Sequence, residues 1–398
     1  LAFSVRLKSL LVHRHLPLFG MLCGVLIGLP ALWAGWGPSD DVLQRSIILT
    51  QPLPEILTRL FVFLDPAVNP AQMDLGYFPW WTYESAQVIF FRPLAALSLW
   101  IDYQLWPNSN LLMHLHSLLL YGLLCLTAAH LYRRLMGRTP QTGLAVLLFS
   151  LSTAHIGCVV SLAARNLLMA ANFGFLALFF HDRWRRDGWK PGLILALLCL
   201  SLSLLSAETG VATCAFLLAY AIFFDIRSWR GRLLSLLPYG LMTVIWLVSY
   251  QVFGFGASGS DFYLSPLQEP VRFLVAIVER TPFLLMGQWV LPDPVVYTVL
   301  SEGARLFLWV LSLLVLAFIG LLLFPLIKKE RAARFWVVGM LLSVIPVCAV
   351  SPASGRHLTF ISLAAFGLMA QLVGGVFLSS TWAPIRRNWR RAALGVSL

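Results

Sequence analysis

Charged side chains are scarce in this sequence. They make up 12% of its 398 residues, against roughly a quarter of a typical soluble domain, whereas 59% of the residues are hydrophobic and the mean hydropathy is +0.81. This composition excludes an ordinary soluble protein and indicates a polytopic membrane protein. The length allows about ten spans of roughly 20 residues each, with one substantial loop left over.

Cysteines are few, and nothing in their spacing suits a metal. The six lie within apolar runs without a CxxC or Cys/His pattern, so we expect small core side chains. The sequence also lacks a 20–50-residue repeat, a low-complexity tract and a soluble-domain linker. We therefore expect a single integral-membrane domain over 1–398, whose first apolar run, 16–36, stays in place as a span rather than being cleaved as a signal.

Acidic residues are outnumbered by basic ones, which gives a net charge of +12. Most of the 29 lysines and arginines lie in six short clusters between apolar runs, a distribution that argues against nucleic acid as a partner. Short loops rich in lysine and arginine stay in the cytoplasm, so we place all six clusters and both termini on that side. The clusters are Arg6/Lys8/Arg14, Arg133/Arg134/Arg138, Arg183/Arg185/Arg186/Lys190, Arg227/Arg230/Arg232, Lys328/Lys329/Arg331/Arg334 and Arg386/Arg387/Arg390/Arg391.

These cluster positions divide the chain into about ten predicted spans, so the predicted fold class is an all-α polytopic membrane bundle. Segment 271–291 is apolar as well, but a full crossing there would move Lys328 and Lys329 to the wrong side. We predict a re-entrant or surface-lying helix over 271–291 instead. The predicted spans are 16–36, 111–132, 142–162, 166–181, 191–207, 209–224, 233–253, 304–327, 335–351 and 358–380.

The extracytoplasmic face carries most of the carboxylates and the long loop 37–110. The start of this loop, 41–64, has the spacing of amphipathic helices that lie on a membrane. Asp40 and Asp41 stand at its beginning. Held near a reacting hydroxyl they could accept its proton, whereas an exposed pair on a loop would be solvated and inert.

Several other ionisable residues lie at the outer ends of spans, where an unpaired charge is costly. Arg92 could bind a lipid phosphate, or it could pair with Asp102 or anchor the chain among interfacial aromatic residues. His114 and His116 are two apart on a helix and point to different faces, which makes a poor metal site.

Two further groups reach the face that carries the acidic pair. His155, Arg165 and Glu208 come from separate hairpins, and such convergence is what a pocket requires, although buried Arg/Glu pairs also join helices with no enzymatic role. Arg356 and His357 follow Ser-Pro-Ala-Ser-Gly, a loop flexible enough to bring a guanidinium to a phosphate. A lone interfacial arginine explains Arg356 equally well.

In their order along the chain, these residues resemble the GT-C superfamily of integral-membrane glycosyltransferases. The likeness is greatest to the protein O-mannosyltransferase-like branch, which includes enzymes that combine a membrane part with tetratricopeptide repeats. The likeness covers most of 30–225 and is weaker after 340. It rests on the order of the residues along the chain and not on any single motif. The carriers are Asp40-Asp41, Phe91-Arg92-Pro93-Leu94 with Asp102, Trp106, His114 and His116, then His155 to Arg165, Leu205-Ser206-Ala207-Glu208 and Gly355-Arg356-His357.

The resemblance implies that a sugar moves, with inversion, from a polyprenyl-phosphate donor to a hydroxyl of an unknown glycan or protein acceptor. The active face would be extracytoplasmic, in a bacterial inner membrane. Asp40 or Asp41 would be the general base, and the other would orient the acceptor or hold the loop.

Donor binding is implied for the basic residues. Arg92, Arg165 and Arg356 would bind the donor phosphate, with Glu208 orienting one of them, and His155 and His357 would belong to the same substrate site. No cofactor is implied beyond the lipid-linked donor, and a divalent metal is not expected, because no ligand set beyond the two aspartates is evident.

The chain also departs from this branch, which keeps a second function open. It reads Ala154-His155-Ile156 where a His-Pro pair is common, and Ala207-Glu208 where a Lys-Glu pair is common. A catalytically silent membrane scaffold, or the anchoring subunit of a larger complex, is therefore the alternative. An enzyme would keep an open pocket beside the aspartates, whereas a scaffold would fill that space. A transporter would predict inverted repeats and broken helices, which we do not find in the sequence.

Overall fold

A computed structural model of the protein describes residues 8–37, 39–260, 262–289 and 292–377. It is 75% helical with almost no strand, which confirms the all-α fold class. The basic cluster at 386–391 lies outside the described residues. The helices are α1 (Leu16–Gly28), α2 (Asp40–Thr50), α3 (Leu53–Arg59), α4 (Asn69–Asp74), α5 (Pro93–Leu105), α6 (Asn110–Met136), α7 (Pro140–Ser150), α8 (Gly157–Val160), α9 (Arg165–Asp187), α10 (Pro191–Leu204), α11 (Ala212–Phe223), α12 (Trp229–Val252), α13 (Pro270–Trp289), α14 (Glu302–Lys329), α15 (Arg331–Val347) and α16 (Thr359–Phe377).

Five helices in the described part of the chain are long and apolar enough to cross a membrane, which indicates an integral membrane protein. They are α1 with the 3₁₀ turn that follows it, α6, α12, α14, and α16 with the 3₁₀ turn that precedes it. The expected number of about ten spans is not confirmed, because the other apolar helices are shorter or carry more charge.

The predicted span 142–162 is wrong as a single helix. Helix α7 ends at Ser150, and a 3₁₀ turn, Thr153–His155, and the one-turn helix α8 follow before α9 begins. Serine and threonine side chains compete for backbone hydrogen bonds, and they crowd this stretch. The Tyr121 hydroxyl donates to the carbonyl of Ser150, 3.2 Å away, where the helix stops.

Local sequence signals set several helix ends. Ser109 and Thr139 accept hydrogen bonds from the backbone at the starts of α6 and α7, which satisfies donors that have no intrahelical partner. Pro93 and Pro140 occupy first turns, where the missing N–H costs nothing. Gly188 follows α9 with φ +70°, a conformation that favours glycine.

A three-stranded antiparallel sheet lies beyond the ends of the helices, which was not expected from the sequence. Its strands are β1 (Val62–Leu64), β2 (Gln87–Ile89) and β3 (Gly256–Ser258), with β2 in the centre. Strand β3 begins shortly after α12 ends, so the sheet joins the first long loop to the end of that helix. The segment after β3 contacts the residues that follow α15, where Leu264 N–H donates to the Ala349 carbonyl at 2.8 Å.

The predicted amphipathic and surface segments are helical. Helices α2 and α3 occupy most of 41–64, and α13 occupies 271–291 up to Trp289. Helix α13 is not among the five candidate spans found in the described residues. Its Arg280 donates to the carbonyls of Cys348 and Val350, at 2.8 and 3.2 Å, which holds it against the end of α15.

Basic clusters meet at one end of the bundle. Arg133 donates to the carbonyl of Arg14 at 2.7 Å. Arg134 pairs with Asp182 and with Asp187, and Arg185 pairs with Asp225. The first four predicted clusters are thus linked by contacts at a common end, as their assignment to one membrane side requires.

Close packing of α9 against α11 and α16 gives a test of the fold. A Cβ on Gly174 would lie 2.5 Å from Thr213 Oγ1 and 2.8 Å from two ring atoms of the buried Phe360. We expect Gly174→Ala to destabilise the protein by about 1–3 kcal/mol through overpacking, seen as a lower midpoint of thermal unfolding in detergent.

Gly240 is the matched control for this substitution. It also lies inside a long apolar helix, but a Cβ there meets nothing within 4 Å. Gly240→Ala is expected to leave the midpoint unchanged or raise it, because alanine favours helix over glycine by roughly 0.5–1 kcal/mol. Equal midpoints for both variants would contradict the described packing.

Candidate functional site

A cavity of about 360 Å³ lies at the end of the bundle opposite the basic clusters. Helices α9, α12 and α15 each contribute to the basic end through one terminus and approach the cavity with the other. The wall has both charged and apolar parts. Its ionisable and polar residues include Asp40, Arg92, Asn166, Glu208, Tyr250, Tyr263, Arg356 and His357, and its apolar residues include Phe61, Phe90, Trp246, Leu247, Leu264, Leu267 and Pro346.

Asp41 points away from this cavity and holds the backbone. Its side chain is 3% exposed. One carboxylate oxygen accepts from Ala163 N–H at 2.8 Å, and the other accepts from Gly37 at 2.9 Å and from Leu162 at 3.3 Å. The break after α7 frees the N–H groups of Leu162 and Ala163 for this purpose. Asp41 therefore joins the start of α2 to the segment that leads into α9.

Asp40 lines the cavity, and so the two neighbouring aspartates occupy different environments. Burial raises the pKa of Asp40 above its usual value, Arg356 opposes this shift most strongly, and Arg92 opposes it more weakly. The neighbouring carboxylate of Asp41 raises the pKa of Asp40 further. A partly buried carboxylate with a raised pKa is a stronger base than an exposed aspartate.

Arg92 is held in place by Glu208. Its Nε and Nη2 donate to Glu208 Oε2 at 2.9 and 2.6 Å, and the Tyr250 hydroxyl donates to the other carboxylate oxygen at 2.8 Å. The guanidinium also lies over the Phe90 ring, 4.2 Å from its centroid. The alternative pairing of Arg92 with Asp102 is wrong, whereas its aromatic surroundings agree with the expectation.

Arg356 is the cavity's unpaired cation. Among the described residues, its guanidinium has no hydrogen-bond or ion-pair partner, and its Nε is buried without one. The turn that carries it is well fixed, since Gly355 N–H donates to Asp293 Oδ2 at 3.0 Å and Ser354 N–H donates to His357 Nδ1 at 3.1 Å. A rigid backbone thus presents to the cavity a guanidinium that has no direct partner and interacts with Asp40 through space.

Arg165 lies inside the helix bundle and does not line the cavity, although its chain neighbours Ala164 and Asn166 do. It is fully buried and pairs with Asp102, which His116 also contacts at 2.8 Å. Its remaining donors reach Ser117 Oγ at 3.0 Å and the Met113 carbonyl at 2.7 Å. This arrangement joins α5, α6 and α9, so the structure does not bring Arg165 to a donor phosphate and gives it the helix-joining role that was the alternative.

His155 is also buried outside the cavity wall. Its Nε2 lies 2.9 Å from Ser362 Oγ, and this hydroxyl contacts Gln288 Oε1 at 2.8 Å. The structure therefore places His155 behind the Arg356 turn, in contact with α16 and indirectly with α13. It does not bring His155 to the substrate position predicted for it, whereas His357 lines the cavity.

The structure offers no clear metal site in the described ranges, where no three histidine, cysteine or carboxylate side chains are grouped suitably. His114 lies between the carbonyls of Val159 and Gly35, at 2.9 and 2.7 Å. Its neighbour His116 faces Asp102 instead. The expectation that catalysis needs no divalent metal stays a prediction.

Two tyrosines of the wall were missed by the sequence analysis. Tyr250 fixes Glu208, and Tyr263 stands beside Phe90 with ring centroids 4.8 Å apart. Burial raises the pKa of Tyr263, which keeps its phenol neutral. Tyr250 lies within an apolar run and Tyr263 in a connecting loop, so neither had a sequence signal beyond its residue type.

Comparison of the chain with protein-family models, with curated proteins and with solved structures finds no match. The class of this protein is therefore defined by its fold and its cavity. It is a helical protein with the features of an integral membrane protein, and one end of its bundle holds a cavity lined by two carboxylates and two arginines.

The buried Arg165 pair gives a test of the structural assignment. Arg165→Met would leave Asp102 buried beside a histidine alone, and breaking a buried ion pair costs about 3–5 kcal/mol. We expect a clear fall in the thermal unfolding midpoint in detergent. Arg59→Met is the control, because the Arg59 side chain is 66% exposed and lies 3.8 Å from Asp65, and ion pairs at the surface contribute about 0–1 kcal/mol. Equal effects would contradict the structural role.

Proposed function

We propose that this protein is a GT-C-like membrane glycosyltransferase that moves a sugar from a polyprenyl-phosphate donor to a hydroxyl acceptor. Asp40 is its general base. The finer features of the expected topology belong to the same proposal: about ten spans, cytoplasmic termini, and an extracytoplasmic active face in a bacterial inner membrane. The acceptor is a glycan or a protein.

One observation carries this proposal: Asp40 and the unpaired Arg356 line the same cavity. An inverting transfer from a sugar phosphate needs a base for the acceptor and a cation for the leaving phosphate. The other carboxylates near the cavity are already engaged, Asp41 by three backbone N–H groups and Glu208 by Arg92 and Tyr250. Asp40 is therefore the base, and Asp41 is the residue that holds the loop.

The proposed reaction is a single displacement. Asp40 takes the proton of the acceptor hydroxyl, whose oxygen forms a bond to the anomeric carbon. The bond between that carbon and the phosphate oxygen breaks, and its electron pair leaves with the phosphate. The guanidinium of Arg356, which has no direct partner among the described residues, binds the phosphate oxygens, and Arg92 adds positive charge from the position that Glu208 fixes.

The apolar wall supports a lipid-linked donor. Trp246, Leu247 and Leu267 line the cavity, and Leu247 is 37% exposed on a helix that has the length of a membrane span. A prenyl chain could leave the cavity along this side while its phosphate stays at the arginines. A catalytically silent scaffold would have no use for an open space between a base and an unpaired guanidinium, so the geometry favours the enzyme.

Substitution of the two aspartates separates their roles. Asp40→Asn is expected to lower sugar transfer by roughly 10²–10⁴-fold, the usual contribution of a general base, without changing the thermal midpoint. Asp41→Asn turns an amide group towards backbone N–H donors and is expected to cost about 1–3 kcal/mol of stability through lost hydrogen bonds. Transfer is measured in membranes that contain the lipid-linked donor, and unfolding in detergent.

The two readouts together make this test decisive. Unchanged transfer in Asp40→Asn would remove the proposed base. A loss of stability in Asp40→Asn equal to that in Asp41→Asn would show instead that both side chains are structural.

The raised pKa of Asp40 predicts a pH dependence. The base must be ionised, so transfer should fall as the pH drops through a pKa above the usual aspartate value. Arg356 lowers this pKa, and Arg356→Gln should therefore move the acid limb of the kcat/KM profile to higher pH as well as lower its maximum. Arg45→Gln, which removes a cation outside the cavity wall, should move the limb less. A limb unmoved in Arg356→Gln would contradict the assignment.

A further inference from the structure

An exposed aromatic segment, residues 75–83, stands beside the sheet. Five large side chains within these nine residues are each at least 65% exposed. Soluble surfaces seldom present such a concentration of apolar area without a function for it. The five residues are Leu75, Tyr77, Trp80, Trp81 and Tyr83.

Backbone and side-chain hydrogen bonds hold this segment in shape. Asn69 Nδ2 donates to the carbonyls of Glu84 and Ala86, at 2.9 and 2.8 Å, and Asn69 itself is fully buried. Tyr77 N–H donates to the Gln72 carbonyl at 2.9 Å. The aromatic side chains therefore point outward from an ordered backbone.

The aromatic segment lies beside the residues that follow α12 in the chain. Tyr83 packs next to Gly259, where a Cβ would lie 3.1 Å from the tyrosine ring. Gly259 directly follows β3, which begins shortly after α12 ends. The end of that span is apolar too, because Val252 and Phe253 are 75% and 73% exposed. Only 17% of the apolar window of α12 is buried, as is expected of a helix that faces lipid.

The charges near the aromatic segment indicate which kind of surface it would contact. Between Arg59 and Arg92 the sequence has no basic residue, and its charged residues are Asp65, Asp74 and Glu84. The segment itself therefore offers no cation to anionic headgroups. Tryptophan and tyrosine prefer the zone between headgroups and acyl chains, where their rings are apolar and their N–H and O–H groups meet water.

We propose that segment 75–83 lies in the interfacial zone of the bilayer at the cavity end of the bundle, and that it binds zwitterionic lipid without help from charge. Gly256 and Ala257 of β3 line the cavity, so this contact sets the cavity mouth at the membrane surface. The inference does not depend on catalysis, since it rests on exposure, continuity and charge alone.

Collision measurements on a nitroxide label test this position. The label is attached at Trp81→Cys in the full chain with its six native cysteines replaced by alanine, reconstituted in phosphatidylcholine nanodiscs. Oxygen concentrates in lipid and a nickel chelate in water, so the ratio of the two collision rates reports depth. Glu55→Cys, exposed on α3, is the water control, and Val248→Cys, 54% exposed on α12, is the lipid control.

We expect the oxygen-to-nickel ratio at position 81 to be several-fold above that at position 55 and below that at position 248. It should not change between low and high salt. A ratio equal to that at position 55 would overturn the proposal in favour of a solvated loop. Protection from both reagents would overturn it in favour of coverage by protein, either a second copy or a different partner.

A second measurement avoids the cysteine replacements. Nanodiscs of brominated phosphatidylcholine quench tryptophans that lie in the bilayer. The chain has 15 tryptophans, so the quenched emission of the native protein is compared with that of a Trp80→Phe/Trp81→Phe variant. The variant should lose part of the quenched signal, most strongly with bromines near the headgroup. Identical quenched emission in the two proteins would contradict the inference.

Discussion

Three backbone N–H groups converge on the carboxylate of Asp41, and the arrangement of the cavity depends on this interaction. It fixes the break between α7 and α9 against the beginning of α2. With Asp41 occupied in this way, its neighbour Asp40 is directed to the cavity as a carboxylate whose charge is only partly offset. Two adjacent identical residues thus have different tasks because the backbone around them differs.

The arginines also differ in whether a carboxylate pairs with them. Arg165 is compensated by Asp102, Arg185 by Asp225 and Arg92 by Glu208. Buried cations normally have such partners, because an uncompensated charge in a low-dielectric interior is costly. Arg356, which is partly buried, has no hydrogen-bond or ion-pair partner among the described residues, and the charge of Asp40 attracts it only through space. Its turn is held by Asp293. An arginine kept unpaired beside a cavity is a natural receptor for an anion, which is why the proposed function gives it the donor phosphate.

The sequence predicted the membrane class, the all-α fold and most of the polar cavity wall, since Asp40, Arg92, Glu208, Arg356 and His357 were all expected there. It could not distinguish Asp40 from Asp41, because the difference lies in backbone donors more than 120 residues away. Nor could it separate Arg92 from Arg165, whose partners are set by helix packing. The expectation of a continuous span over 142–162 failed because hydropathy averages over the short polar stretch where α7 ends.

The most direct test of the central claim is mass spectrometry of the lipids that copurify with the protein from membranes. If the unpaired guanidinium binds the donor phosphate, a polyprenyl-phosphate species should accompany the native chain and be lost in Arg356→Gln, while Arg45→Gln retains it. Absence of any such lipid from the native protein, or equal amounts in the native chain and Arg356→Gln, would contradict this account.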